Sequence, residues 1–224
     1  MIIAIDGPSG AGKSSVARAV AERLNFSCLD TGAMYRAVAW KCLQLGVSLD
    51  DEKAMGDVAR KYDVNFEHED NNPIPSKVFI AGEDVTLDIR TAEIDKAVTP
   101  VSAAPSVREA LVVQQRRIGE TGNFVVEGRD IGTVVFEDAQ LKVFLTATYE
   151  ERAHRRVLQN EERGCGSVDF DEVLTDLKRR DSADSSREAS PLRPADDAVH
   201  IDSTDMTIDD VIEQICELAH ERKN

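Results

Sequence analysis

Lysine and arginine are in short supply in this chain. There are 27 of them against 42 aspartates and glutamates, a formal net charge of −15. A chain so acidic repels nucleic-acid backbones and anionic membranes, so any phosphate ligand must be captured at a local positive site. Cysteine is scarce and scattered. Cys28, Cys42, Cys165 and Cys216 form no C-x-x-C pair and have no histidine partner at metal spacing, which suits reduced core or surface thiols in a cytosolic protein. No apolar stretch approaches the length of a membrane span, and no internal repeat or low-complexity tract interrupts the sequence. A core strand begins at once, leaving no room for a signal peptide. The expectation is a soluble cytoplasmic protein. Its 224 residues suffice for one large α/β domain, or for a core domain with a smaller insertion.

What the chain does have is concentrated near its start. Met1 to Ile5 is an apolar, β-branched run of the kind buried on both faces of a sheet, and Val16 to Leu24 has helical periodicity. Between them lie Gly7, Pro8, Ser9, Gly10, Ala11, Gly12, Lys13, Ser14 and Ser15, which satisfy G-x-x-x-x-G-K-[ST] at every fixed position. Glycines allow the backbone to fold into a nest of inward N–H groups, and the following helix adds the positive end of its dipole. Lys13 is placed to reach the β- and γ-phosphates, and the Ser14 hydroxyl to ligate a magnesium ion. A strand, glycine loop and helix in this order mark a nucleotide-phosphate cradle.

Further strands are expected at 26–30, 123–130, 141–147 and 198–203, with helices at 31–46, 51–62, 150–162, 171–180 and about 207–222. The segment 90–120 reads as two helical pieces broken near Pro100, with Pro105 in the first turn of the second. Val64 to Val85 reads as a small antiparallel insertion. Strands alternating with helices give a parallel sheet wrapped on both faces, with binding at the carboxyl ends of its strands. Three polar clusters follow strand ends or lie in predicted loops. They are Asp30, Thr31, Tyr35 and Arg36; Arg129 and Asp130; and Arg179, Arg180, Asp181, Asp184 and Arg187. The helix at 150–162 gathers Arg152, Arg155 and Arg156, with Arg163 just beyond. Its bland reading is a solvated face with pairs such as Glu151–Arg155. Its functional reading is a lid whose arginines close on a transferring phosphoryl group and exclude water.

The segments "IDGPSGAGKSS", "LDTGAMYR", "EGRDIGTVVF", "EERAHRR" and "RRDSADSSREASPL", in that order, resemble bacterial cytidylate kinases over nearly the whole chain. The resemblance implies the nucleoside-monophosphate kinase fold, a five-stranded parallel sheet with a lid and a monophosphate-binding insertion. Residue boundaries follow from it: a core of 1–62, 98–150 and 181–224, an insertion of 63–97 and a lid of 151–180. It implies phosphorylation of CMP and dCMP by ATP with Mg2+ in pyrimidine nucleotide metabolism, and a monomer is expected because the sequence shows no long heptad or apolar exposed stripe. By the same resemblance Thr31, Arg36 and Arg129 hold the monophosphate, Thr99, Arg108 and Asp130 read the cytosine edge, and Arg180, Asp184 and Arg187 contact sugar and phosphate. Tyr35 belongs with the acceptor residues, and Lys13, Arg129, Arg155 and Arg156 with those that stabilise transfer.

Other readings are weaker. A kinase of the same fold with UMP or AMP as acceptor differs only in hydrogen bonds to the base. A GTPase-like switch needs D-x-x-G and N-K-x-D segments in their usual form, and neither is present. A dinucleotide-binding oxidoreductase needs the last glycine of G-x-G-x-x-G, where this chain has Ser15. His68, His154, His200 and His220 have no nucleophile or metal partner in sight. No general base is required when the acceptor is already an anionic phosphate oxygen.

Overall fold

The computed structural model describes residues 1–69, 72–164 and 166–223. Its elements in chain order are β1 (Ile2–Asp6), α1 (Lys13–Leu24), β2 (Ser27–Asp30), α2 (Thr31–Gln44), α3 (Glu52–Lys61), β3 (Val64–His68), β4 (Pro75–Ile80) and β5 (Glu83–Asp84). A single 3-10 turn, Asp88–Arg90, leads into α4 (Ala92–Ala103) and α5 (Pro105–Gly119). Then come β6 (Phe124–Gly128), a π-helical turn at Ile131–Val135, β7 (Leu141–Thr146), α6 (Tyr149–Arg163), α7 (Phe170–Ser185), β8 (Val199–Asp202) and α8 (Ile208–Lys223). The chain divides into two compact units, Met1–Cys28 with Asn123–Asn224, and Leu29–Gly122.

The first unit is organised by a five-stranded sheet of order β2-β6-β1-β7-β8. Ile3, Ala4 and Ile5 are fully buried, as a central strand with helices on both faces requires. β1 pairs in parallel with both neighbours, so Ile5 stands level with Glu127 and Val143, and Asp6 level with Gly128 and Phe144. That register aligns the carboxyl ends of three strands at one edge, where ligands bind in open α/β sheets. α1 packs on β6 and α8 through a face that includes Val16, Ala17, Val20 and Ala21. It begins at Lys13, three residues before the expected Val16, because Gly12 makes the entry turn at φ +87° and the following residues are already helical.

α6 and α7 pack on each other over Ala153, Val173 and Leu177, flanked by Val157, Phe170 and Leu174. The Thr148 hydroxyl accepts from the Glu151 N–H at 3.3 Å, and the Asp169 carboxylate from the Glu172 N–H at 2.9 Å, so both starts are capped. α7 corrects an expectation. The sequence places "RRDSADSSR" in a loop region with the helix ending at Arg180, yet the helix continues to Ser185. Serine and aspartate favour caps and turns, but no glycine or proline intervenes, and Asp181 is buried by its partners.

The second unit holds α2 to α5 and a three-stranded antiparallel sheet, β3-β4-β5, where the sequence placed an insertion. The loop joining β3 to β4 includes Asp70 and Asn71, which lie outside the described residues, as does Cys165. Gln114 of α5 is buried. It donates to the Ala59 carbonyl at 2.9 Å and accepts from the Val64 N–H at 3.0 Å, satisfying backbone groups where α3 gives way to β3. The helical break in this unit falls at Ala104, not near Pro100. α4 runs through Pro100 because Ile94, Ala97 and Val101 form one buried face, and that burial outweighs the lost N–H. Cys28, Cys42 and Cys216 are buried. Among the described residues no helix is long and apolar enough to cross a membrane.

Candidate active site

The phosphate loop leaves β1 and bends back into α1. No side chain caps the start of α1, so the positive end of its dipole faces the loop. Lys13 is buried, and its ammonium donates to the Pro8 carbonyl at 2.7 Å, inside its own loop. Burial pulls its pKa down to about 7, the Arg129 guanidinium pulls the same way, and the carboxylates of Glu127, Asp6 and Asp184 oppose both. Asp6, the residue before Gly7, is also buried. Its two oxygens accept from the backbone N–H groups of Ile131 and Gly132, each at 2.8 Å. Burial raises its pKa to about 6 and the Asp130 charge adds to this, while the two backbone N–H groups and Lys13 work against it. The carboxylate thereby ties the start of the phosphate loop to the segment that presents Arg129 and Asp130.

That segment meets α7. Arg129 donates to Asp184 at 3.0 Å and to the Gly128 carbonyl at 3.3 Å. Arg187 reaches the same carboxylate at 3.4 Å and the Asp184 carbonyl at 3.2 Å. Two clusters that are far apart in sequence thus become one. Asp130 is buried beside them, and Arg180 is half-buried on α7. In α6 the arginines separate by role. Arg152 is buried, Arg156 donates to Gln159 at 2.9 Å, and Arg155 donates to Glu151 at 2.8 Å and to the Ser203 hydroxyl at 3.0 Å. The Arg155 guanidinium lies 3.8 Å from where a side chain at Gly12 would begin. His154 is exposed and its ring rests against Phe170.

The second unit gathers the other sequence-selected residues around the N-terminus of α2. Asp30 caps that helix by accepting from the Ala33 N–H at 2.9 Å, and Thr31 is buried at its first position. Arg36 donates to Asp95 and, at 3.1 Å, to the Ile89 carbonyl. Arg90 donates to Asp30 at 3.1 Å. Each of these guanidiniums is thus held by a carboxylate, Arg36 by Asp95 and Arg90 by Asp30. The Arg108 guanidinium lies 5.2 Å from the centre of the Tyr35 ring and donates to the Ser102 carbonyl at 2.8 Å, at the end of the helix that carries half-buried Thr99.

Sequence reasoning missed Asp6, Glu127, Arg90 and Asp95. For Asp6 and Glu127 a signal existed, since each is an acid ending a buried apolar run on adjacent parallel strands. Arg90 and Asp95 gave none, because only tertiary structure sets them against α2 and Arg36.

A parallel sheet with a glycine loop and a buried lysine between its central strand and first helix defines a phosphate-loop kinase. The fold alone is shared with an uncharacterized protein from Eubacterium ventriosum, at a TM-score of 0.51 and 15% identity, covering 97% of this chain and 96% of that one. The cytidylate kinase family model matches residues 3–221. A cytidylate kinase of Caldanaerobacter subterraneus is 49% identical over 222 residues, covering 99% of this chain and 95% of that protein. One from Rhodococcus opacus is 49% identical over 225 residues, covering 99% and 96%. The chain belongs to the cytidylate kinase family.

The lowered pKa of Lys13 gives a measurable linkage. A folded-state pKa of about 7, below the ordinary 10.5, leaves the amine mostly neutral at pH 8 in the free protein. The same depression means that Lys13 favours the folded state above pH 10.5, and that this contribution is lost as pH falls through about 7. A triphosphate beside the amine favours its charged form, so nucleotide binding near pH 8 is expected to take up close to one proton. Calorimetry of ADP binding in buffers of different ionisation enthalpy measures this uptake. It should vanish in Lys13→Met, and equal heats in all buffers for the wild type would contradict it.

Proposed function

We propose that this chain transfers the γ-phosphoryl group of ATP to CMP and dCMP, giving ADP and the nucleoside diphosphate. The observation that carries the reading is Lys13, buried in its phosphate loop within electrostatic reach of the Arg129–Asp184 pair. The loop amides of Gly7 to Ser15 and the Lys13 ammonium hold the β- and γ-phosphates. Thr31, Arg36 and Arg129 hold the acceptor monophosphate, each arginine already oriented by a carboxylate, Asp95 or Asp184. An acceptor phosphate oxygen attacks γ-phosphorus as the bond to the β–γ bridging oxygen breaks, and the electron pair leaves with ADP. No proton need move, and positioning and charge stabilisation supply the rate.

Arg155 and Arg156 belong to a lid spanning 151–180, and neutralise charge on the equatorial oxygens as it closes. The monophosphate-binding insertion spans 63–97. Arg180, Asp184 and Arg187 contact sugar and phosphate, while Tyr35 supports Arg108 from its ring face. The donor set also fits Mg2+, a hard cation that takes oxygen ligands. The Ser14 hydroxyl is exposed at the start of α1, and the buried Glu127 carboxylate ends the neighbouring strand. These residues would hold the ion, which would offset the charge of the phosphates. On this reading the protein works as a cytoplasmic monomer.

Base choice rests on Thr99, Arg108 and Asp130, since cytosine offers an amino donor to a carboxylate beside acceptor atoms that suit an arginine. Asp130→Ala is therefore expected to raise KM for CMP about tenfold, the worth of one charge-assisted hydrogen bond. KM for ATP should move less than about twofold. The assay follows ADP release with CMP, dCMP, UMP or AMP as acceptor. Equal turnover of all four by the wild type would overturn the choice of acceptor, and ADP release without any acceptor would make the protein an ATPase.

A further inference from the structure

One buried charged pair in the first unit is used by no step above. Arg152 of α6 and Asp181 of α7 are 3% and 6% exposed and meet at 2.6 Å. They bracket the backbone of a single residue of the phosphate loop. Arg152 donates to the Ser9 carbonyl at 2.9 Å, and Asp181 accepts from the Ser9 N–H at 3.3 Å. Arg152 is itself fixed by a bond to the Ala147 carbonyl at 3.0 Å and by the Tyr149 ring, 4.4 Å from its guanidinium carbon. The α6 backbone also abuts the loop directly. A side chain at Gly10 would begin 3.1 Å from the Arg152 carbonyl oxygen. A buried ion pair adds little to stability in general, whereas breaking one is costly, so its retention at the loop asks for another reason.

Asp181 shares its helix face with Asp184, one turn on, and Asp184 holds both Arg129 and Arg187. A chain of bonds therefore runs from the Ser9 backbone through Asp181 and one rigid helical turn to the arginines assigned to the acceptor. We infer that Arg152 and Asp181 are positioning residues that fix the Ser9 backbone of the phosphate loop and couple it to the Asp184–Arg129–Arg187 cluster, so that acceptor binding strengthens donor binding. This rests on the proposed kinase reading. Coupling between two ligands is reciprocal and is measured as the factor by which one changes the affinity of the other.

The test is calorimetric titration of ADP with and without saturating CMP, which form a non-reacting pair. Wild-type protein should bind ADP more tightly with CMP present. Asp181→Asn should weaken ADP binding about tenfold and erase most of the effect of CMP, while CMP alone binds within about twofold of wild type. Arg152→Lys keeps the charge and the Asp181 pairing but loses the second carbonyl contact, and should weaken ADP binding less while still reducing the coupling. Circular dichroism and thermal midpoints establish that each variant is folded. If folded Asp181→Asn binds ADP and responds to CMP as wild type does, the inference fails. It fails equally if Asp181→Asn does not fold and Arg152→Lys binds and couples normally, because the pair would then serve folding alone. Absence of coupling in the wild type removes the link to the acceptor. Failure of the wild type to bind ADP at all would instead sink the kinase reading.

Discussion

Lys13→Ala is expected to lower kcat about 10³-fold, the upper range for removing one preorganised donor to a developing anion. The fold should survive. Lys13 stands at the start of α1, alanine is the best helix former, and the charge removed is one that burial already disfavours. The buried Pro8 carbonyl loses its partner, at a cost of about 1–3 kcal/mol that lowers stability without abolishing the fold. Lys13→Arg should rescue little, because a planar guanidinium replaces a compact ammonium in a buried slot. Steady-state kinetics beside thermal midpoints separate the two effects. Turnover within about fivefold of wild type in a folded Lys13→Ala protein would remove the phosphate loop from the mechanism.

What could be foreseen divides along the range of the interactions involved. The phosphate loop is written in nine consecutive residues, and its conformation depends on glycines and on the helix it starts, so it reads directly from the sequence. The five-stranded parallel sheet follows from alternating apolar runs, and the antiparallel sheet of the second unit from β-rich stretches around a proline-containing loop. The Glu151–Arg155 pair was legible for the same reason, since i,i+4 neighbours meet on any helix. Arg152 was not. Three residues earlier on the same helix it looks like any member of a solvated charged face, and only packing against α7 and Ser9 buries it. Pro100 and the serines of α7 misled in the opposite sense, because a local preference lost to a buried face that only the folded chain supplies. Asp6 lay between these cases. Its position before Gly7 was visible, but its two backbone partners lie 125 and 126 residues away.

Gly7→Ala is expected to damage the protein more than alanine at either of two other positive-φ glycines. Gly7 adopts φ +150°, and an added Cβ would lie 2.0 Å from the Leu145 carbonyl oxygen on β7. Neither side can yield easily. Asp6 is in register with Phe144 in the middle of the sheet, so the clash is between two hydrogen-bonded backbones, not with the tip of a flexible side chain. Backbone strain and overpacking together should cost about 2–4 kcal/mol of stability. The displaced loop amides should lower kcat/KM at least about 100-fold. Gly12 and Gly46 calibrate the result. Gly12 has φ +87° with its nearest foreign atom 3.8 Å away, and Gly46 has φ +66° with nothing within 4 Å. Alanine at either carries conformational strain without collision and should cost about 1 kcal/mol. Only Gly12→Ala of that pair should also impair turnover, since it shapes the entry to α1. Denaturant melts and kinetics on the three variants give the order directly. Equal stability losses at Gly7 and Gly46 would mean that β7 does not confine the loop, and the seat assigned here to the β- and γ-phosphates would lose its rigid wall.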